Sequence, residues 1–382
     1  IQHGTVTILL DKEGYEVTTY RLDGEYEDSR HPKEVTFTAL LSEDLKRRDF
    51  TINALAYNEK EGLVDLFGGQ KDMEEKVIRC VGDPLERFTE DALRILRAVR
   101  FAAQLGFSIE KRTREAIGIL AGNLEHISAE RIQAELVKLA VSPHPEELYT
   151  AYETGITRVI LPELDAAMET EQKNPHHCHT VGAHLIESMR MIEPDKVLRL
   201  AMLLHDIGKP DTFSLGEDGQ GHFYGHPRRS VELAEGILTR LRFDTAGRTR
   251  ITQLIRYHDL PIAPEAKPIR RLMNKLGVET VRQLFELHIA DACGQSAICA
   301  GRVETYRQAE RVLDELLAAD ACFSLKDLAV NGDDLLALGL RGRAVGAALQ
   351  ACLDAVMDET LPNDRAALLG YAAENLQRFA NS

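Results

Sequence analysis

Histidine and aspartate recur in this chain in a pattern that suits a divalent metal. His184 lies on a run whose apolar residues Leu185, Met189 and Ile192 have helical spacing. His205 and Asp206 sit in Leu-Leu-His-Asp-Ile-Gly-Lys, and Asp291 in Ile-Ala-Asp-Ala-Cys-Gly. Neutral imidazoles and carboxylates converging from several helices can hold an ion that activates water on a phosphate. His226, before a further helix, and His258 extend the series and would be extra ligands or phosphate contacts. The set has no Cys, which favours Mn²⁺, Ni²⁺, Co²⁺ or Fe²⁺ over a structural Zn²⁺. The alternative is a packed, metal-free remnant with His205 hydrogen-bonded to Asp206. His176-His177-Cys178-His179 lies in a Pro-flanked loop without a partner acid and reads as a loop contact.

A second group is built on arginine. In Arg47-Arg48-Asp49-Phe-Thr-Ile-Asn53-Ala, two adjacent guanidinium groups suit a polyphosphate, because the planar fork matches phosphate oxygens and stays charged. Asp49 beside them could accept a ribose hydroxyl. Downstream, Thr89-Glu-Asp91 supplies a cap and an acidic first turn, and Asp91 and Arg94, three apart, would share one helix face. A carboxylate beside a guanidinium offers an acceptor next to donors, which matches the Watson–Crick edge of cytosine or adenine. Guanine and uracil place a carbonyl where the amine should be, so Asp91 would repel them. Core packing does not explain Arg87, Arg94, Arg97 and Arg100 together. The competing explanation is an i,i+3 ion pair on a solvated helix, worth a few tenths of a kcal/mol.

These residues need a scaffold, and 382 residues suffice for two to four domains with real cores. With 44% apolar residues and no apolar run of the roughly 18–20 residues that span a bilayer, membrane-spanning and wholly disordered classes are excluded. A formal charge of -15 excludes a general electrostatic nucleic-acid binder, so any RNA site must be a local basic patch. The densest basic stretch is Arg228, Arg229, Arg240, Arg242, Arg248, Arg250, Arg256, Arg270 and Arg271, either a backbone track for RNA or a solvated helical face. Six scattered cysteines without a CxxC pair, and no signal peptide ahead of the first strand, point to a reducing cytoplasm. β-branched runs at 4–10 and 15–21 bracket Asp11-Lys-Glu-Gly14 as a hairpin, and Val35–Leu40 and Ala54–Tyr57 read as further strands. Beyond residue 83 the apolar spacing is helical almost to the C-terminus.

Five segments occur in order: Tyr15-Glu-Val-Thr-Thr-Tyr-Arg21, Arg47–Ala54, Asp65-Leu-Phe-Gly-Gly-Gln-Lys-Asp72, Glu90-Asp-Ala-Leu-Arg94 and Ile127-Ser-Ala-Glu-Arg-Ile-Gln-Ala-Glu-Leu136. Together they resemble the class II CCA-adding tRNA nucleotidyltransferases and bacterial poly(A) polymerases, densely over residues 4–140. The His–His-Asp–Asp series resembles the HD phosphohydrolase domain, which some CCA-adding enzymes carry. The resemblance implies that Arg47, Arg48, Asp49 and Asn53 meet the nucleotide's phosphates and ribose, with Arg97 and Arg100 nearby. It also implies that Asp91 and Arg94 serve as a protein template for CTP and ATP, and that the Ser128–Lys138 helix buttresses the neck. A tRNA 3′-hydroxyl would attack the α-phosphate between two Mg²⁺ ions. The family's Asp-x-Asp metal pair lies upstream of the hairpin; the expectation is a preceding segment that carries it, with Glu16 at most one further ligand.

The fold expected is mainly α with a small α+β nucleotidyltransferase head, polymerase-β-like and truncated. The head would span 1–80, the neck with its nucleotide- and RNA-binding helices 81–145, the helical body with the HD domain 146–300, and a helical, tRNA-touching tail 301–382. The function expected is template-independent addition of CCA to tRNA 3′ ends from CTP and ATP, with a metal-dependent phosphohydrolase activity in the HD domain. The rivals are a poly(A) polymerase that uses ATP alone and an HD phosphohydrolase or RNA-binding protein with an inactive head.

Overall fold

The structure is a computed structural model that describes residues 5–23, 35–319 and 321–380. It divides into two compact units, residues 1–256 and 257–382. The first opens with the expected hairpin, β1 (Thr5–Leu10) and β2 (Glu13–Thr18), in antiparallel register with Thr5 opposite Thr18. Its two-residue turn holds Asp11 and Lys12 at φ 51° and 71°, the paired positive φ that matches the twist of the flanking strands. The short pairs β3 (Arg21–Asp23) with β4 (Val35–Phe37) and β5 (Leu55–Asn58) with β6 (Gly62–Asp65) flank α1 (Leu41–Lys46). Helix α2 (Gly69–Glu74) starts in a nest made by Asp65, whose carboxylate accepts the backbone N–H groups of Phe67, Gly68, Gly69 and Gln70. Gly69 is required there by space. A Cβ would stand 2.3 Å from the Thr51 carbonyl oxygen.

After β7 (Val77–Ile78) the chain turns helical, and one expectation changes. The helix expected to start at a Thr89 cap is two helices, α3 (Pro84–Glu90) and α4 (Leu93–Leu105), and Thr89 lies inside the first, its Oγ1 donating to the Leu85 carbonyl instead of capping. Asp83 caps α3 by accepting from the N–H groups of Leu85 and Glu86, with Pro84 at the first helical position. Asp91 lies in the break with φ −140° and ψ 101°, and its carboxylate accepts the Leu93 N–H at 3.1 Å. It therefore precedes the Arg94 helix, because a short polar side chain competes with the helix for backbone donors. Strand β8 (Ser108–Ile109) pairs in parallel with β7; α5 (Lys111–Leu120) and α6 (Ala129–Ala140) follow, and α6 packs along α4. Around this neck Phe50, Phe88, Ile95 and Leu96 are fully buried, with Phe50 edge-on to Phe101.

The rest of the first unit is α7 (Leu148–Glu153), α8 (Ile156–Ile160), α9 (Pro162–Glu169), α10 (Val181–Arg190), α11 (Lys196–Leu204), α12 (Lys209–Thr212), the hairpin β9 (Phe213–Leu215) and β10 (Gly221–Phe223), α13 (His226–Arg240) and α14 (Thr245–Tyr257). The second unit is all helix among the described residues: α15 (Ala266–Leu276), α16 (Val278–Cys293), α17 (Ala300–Ala318), α18 (Gly332–Ala337), α19 (Arg343–Met357), α20 (Arg365–Glu374) and α21 (Leu376–Ala380). Ile269, Met273, Val281, Phe285 and Leu313 form the core of α15–α17. No helix among the described residues is long and apolar enough to cross a membrane, and all six cysteines are free thiols.

Candidate functional site

The strongest concentration of arginine in the head and neck surrounds an open cleft of about 460 Å³. Five guanidinium groups (Arg47, Arg48, Arg94, Arg97, Arg131) and two carboxylates (Asp49, Asp91) line it, with Asn53, Leu93 and Phe101. On a chain of charge -15 this is a local positive site.

The cleft groups hold one another. Asp49 is buried; its Oδ1 accepts from the Phe50 N–H at 2.9 Å and Asn53 Nδ2 at 3.1 Å, and its Oδ2 from Arg97 Nε at 2.8 Å. Burial pushes the Asp49 carboxyl up, but Arg97 and these hydrogen bonds outweigh it and hold it below its usual range. Arg94 is buried, not exposed on a helix face as the sequence suggested. Its Nη1 donates to Glu90 Oε2 at 2.8 Å and to the Arg87 carbonyl at 3.1 Å, and its Nη2 to the Arg47 carbonyl at 2.8 Å. Arg87 pairs with the same Glu90. Arg47 forks onto Asp44 at 2.9 and 2.7 Å, whereas Arg48 has a 45% exposed side chain and only long contacts, 3.4 Å to the Asn53 carbonyl and 3.5 Å to Asp44. Arg48 is thus the most exposed of the five guanidinium groups and the one with the longest contacts.

Two expected residues lie elsewhere. Arg100, 6% exposed, turns away from the cleft: its Nε donates to Glu135 at 2.8 Å, its Nη1 to Gln104 at 2.6 Å, and its Cζ lies 3.4 Å from the Phe101 ring centroid. It ties α4 to α6. Glu16 is exposed on β2 opposite Thr7, and no metal-ligating group among the described residues includes it. Sequence reading missed Arg131 as a cleft residue. Its signal was present in the Ser128–Lys138 segment, but only the fold carries that segment back to Asp91, where Arg131 Nη2 meets Oδ2 at 2.8 Å.

The second site centres on Asp206, 3% exposed, in the turn after α11. His226 Nε2 lies 3.2 Å from its Oδ1; His205 Nε2 and His184 Nε2 lie 3.3 and 3.8 Å from its Oδ2. Each imidazole is held from behind. His205 Nδ1 is 2.7 Å from the Met202 carbonyl, His226 Nδ1 2.9 Å from the Phe223 carbonyl, and His184 Nδ1 3.3 Å from Ser188 Oγ. A carbonyl accepts only, so Nδ1 of His205 and of His226 donates to it, which turns both Nε2 atoms toward Asp206, the orientation that metal ligands require. Lys209, 5% exposed, places Nζ 2.6 Å from Asp206 Oδ2 and donates to Gln172 Oε1 at 2.9 Å. Burial raises the Asp206 pKa, but Lys209, His205 and His226 hold the carboxyl well below its usual range. Gly208 admits α13: a Cβ there would stand 2.5 Å from the Ser230 nitrogen, so any side chain would push His226 away. The His176–His179 loop is a contact as expected, His177 packing edge-on against His184 with centroids 5.4 Å apart. Asp291, on α16, and His258 belong to the second unit.

The long arginine stretch is not a continuous basic track. Arg228 and Arg229 pair with Glu232, and Arg229 also with Asp211. Arg240 pairs with Glu163, Arg242 with Glu130, Arg248 with Glu235, Arg270 with Glu359 and Arg271 with Asp358. Each of these seven arginines thus faces an acid, for Arg240, Arg242, Arg270 and Arg271 one from a distant segment, which is the solvated-face arrangement.

Family models match along the chain in order: the poly A polymerase head domain over residues 1–79, a probable RNA and SrmB-binding site of polymerase A over 106–168, the HD domain over 176–293, and a putative tRNA nucleotidyltransferase domain 2 over 250–372. The CCA-adding enzyme of Lactiplantibacillus plantarum is 34% identical over 380 residues, covering 97% of this chain and 81% of that protein. That of Oceanobacillus iheyensis is 55% identical over 144 residues, 38% of this chain and 36% of that protein. Among solved structures, the Bacillus stearothermophilus CCA-adding enzyme in complex with CTP superposes with TM-score 0.69 at 25% identity, covering 100% of this chain and 84% of that one.

Proposed function

This chain belongs to the family of CCA-adding enzymes, tRNA nucleotidyltransferases, and we propose that the arginine-lined cleft is where it selects CTP and ATP for addition to tRNA 3′ ends. The reaction joins the RNA 3′-hydroxyl oxygen to the α-phosphorus and releases pyrophosphate. Divalent ions, which nucleotidyltransferases generally use and which we take here to be Mg²⁺, would supply the charge that lowers the hydroxyl pKa and offsets the pyrophosphate, but the described residues of the head bring no group of three ligands together for them. What the described residues contribute is selection and orientation. Asp91 accepts from the exocyclic amine of cytosine or adenine; Arg94, fixed by Glu90 and the Arg47 carbonyl, supplies the neighbouring donor; Arg48 meets the phosphates; Asp49 and Asn53 bound the ribose side. The observation that carries this reading is the cleft itself, a net positive site on an acidic chain whose wall includes both Asp91 and Arg94. A cytoplasmic setting, where tRNA and nucleotides occur, goes with it.

The test is incorporation on a tRNA that ends before the CCA, with each of the four nucleotides. CTP followed by ATP should be used, and Asp91→Ala should cost roughly 1–3 kcal/mol of discrimination against UTP and GTP. ATP used alone, in runs, would favour the poly(A) reading. Unchanged selectivity in Asp91→Ala would remove the template role.

A second activity is supported by the convergence of Nε2 atoms on Asp206. The donor set fits a divalent transition metal (Mn²⁺, Ni²⁺, Co²⁺ or Fe²⁺), held by His184, His205, Asp206 and His226, which would supply an activated water for phosphomonoester or 2′,3′-cyclic phosphate hydrolysis. His205→Ala should lower the metal content measured after dialysis against Ni²⁺ or Mn²⁺, abolish that hydrolysis and leave nucleotide addition within a few-fold. Unchanged metal content would remove His205 from the ligand set.

A further inference from the structure

We propose that Arg131 is a specificity-determining residue of the cleft: it fixes the Asp91 carboxylate in the orientation that reads the nucleobase amine. The inference rests on the base-reading role of Asp91 and adds a residue from a different part of the chain. Asp91 lies outside both flanking helices, at φ −140°, so no helical hydrogen-bond ladder sets its side-chain direction. Two contacts do so instead. Oδ1 accepts the Leu93 N–H at 3.1 Å, and Oδ2 accepts Arg131 Nη2 at 2.8 Å. The first is a local turn contact that leaves the plane of the carboxylate free to rock; the second, charge-assisted and coming from α6, defines it.

Three further facts separate this arginine from one that only ties helices together. That task is already done by Arg100 and Glu135, buried at 6% and 4% exposure between α4 and α6. Arg131 lines the cleft itself. Its Nη1 is buried without a hydrogen-bond partner in the protein, whereas an arginine buried for the fold alone normally has its donors satisfied. A nucleotide in the cleft would give that donor an acceptor. A carboxylate has about four acceptor positions, so Asp91 can keep Leu93 and Arg131 and still accept from a base amine. Once Arg131 is lost, the carboxylate can turn, and a base with a carbonyl at the amine position is no longer met by a fixed negative edge.

The experiment measures kcat and KM for single additions of CTP, ATP, UTP and GTP on a tRNA substrate, with thermal midpoints, for the unaltered chain, Arg131→Gln, Arg131→Lys, Asp91→Ala and Asp91→Ala/Arg131→Gln. Arg131→Gln should lower the preference for CTP and ATP over UTP and GTP about tenfold. Arg131→Lys, which keeps the charge but not the fork, should recover part of it. In the Asp91→Ala background Arg131→Gln should add nothing, since the group it orients is gone. Equal loss with all four nucleotides, or a full additional loss in the Asp91→Ala background, overturns the proposal. If Arg131→Gln melts early, Arg131→Lys decides by the same selectivity ratio. If Asp91→Ala itself leaves selectivity intact, the base-reading role of Asp91 fails; if Asp91→Ala lowers it and Arg131→Gln does not, only the role of Arg131 fails.

Discussion

Arg100→Met removes one half of an ion pair whose side chains are 7% and 5% exposed. Breaking such a pair by deleting one partner costs about 3–5 kcal/mol, because the remaining charge stays buried without compensation. Lys138 Nζ, 3.3 Å from the other Glu135 oxygen, keeps that carboxylate partly paired, which places the expected loss near ~3 kcal/mol on the same scale. For a unit of this size that lowers the thermal midpoint by roughly 6–12 °C. Arg100→Met/Glu135→Leu, which removes both charges and keeps apolar volume, should regain most of the loss. Thermal and urea unfolding of the three proteins give the stabilities, and steady-state addition gives KM for CTP and ATP. The double variant should show KM values within a few-fold of the unaltered chain. A rise in KM in Arg100→Met with an unchanged midpoint would refute the buttress and restore Arg100 as a nucleotide contact.

Gly69→Ala should destabilise the head by about 1–3 kcal/mol and lower kcat/KM with every nucleotide, because a Cβ 2.3 Å from the Thr51 oxygen forces apart the turn that carries Asp49 and Asn53; urea unfolding with kinetics checks both. Asp49 gives a pH dependence. Its pKa is lowered in the folded chain despite burial, so its stabilisation is present above the unfolded value near ~3.9 and is lost as pH falls through the folded value. Asp49→Asn should therefore flatten the acid limb of the stability curve and leave its slope from pH 6 to 8 unchanged, as measured by urea midpoints against pH.

Much of the architecture was legible because its causes are local. The β1–β2 hairpin, though its turn closes at Asp11-Lys12 with Glu13 and Gly14 already in β2, and the switch to helical spacing after residue 83 follow from residue types a few positions apart. The failures have a common physical origin. Asp91 and Arg94 look like neighbours on one helix at a spacing of three, but the Asp91 side chain captures the Leu93 N–H and breaks the helix between them. Burial of Arg94 against Glu90 and of Arg100 against Glu135 depends on partners and packing that a charge count does not contain. Arg131 was invisible as a cleft residue because its partner is 40 positions away. Sequence leaves the arginines of 228–271 open between a basic track and a solvated face, because the acids that face them, such as Glu163 and Asp358, are brought alongside only by folding.

Lys209 has a consequence for the order in which the Asp206 centre is assembled. Burying a lone carboxylate is costly enough that small metal-dependent domains often stay unfolded until the ion arrives. Here the polypeptide brings its own counter-charge, an ammonium 2.6 Å from the acid and steadied by Gln172. The helices around Asp206 can therefore close at synthesis with charge already balanced. Loading and stripping of an ion then become local substitutions within a finished body, as cargo is exchanged in a dock that stands whether or not a ship is in it.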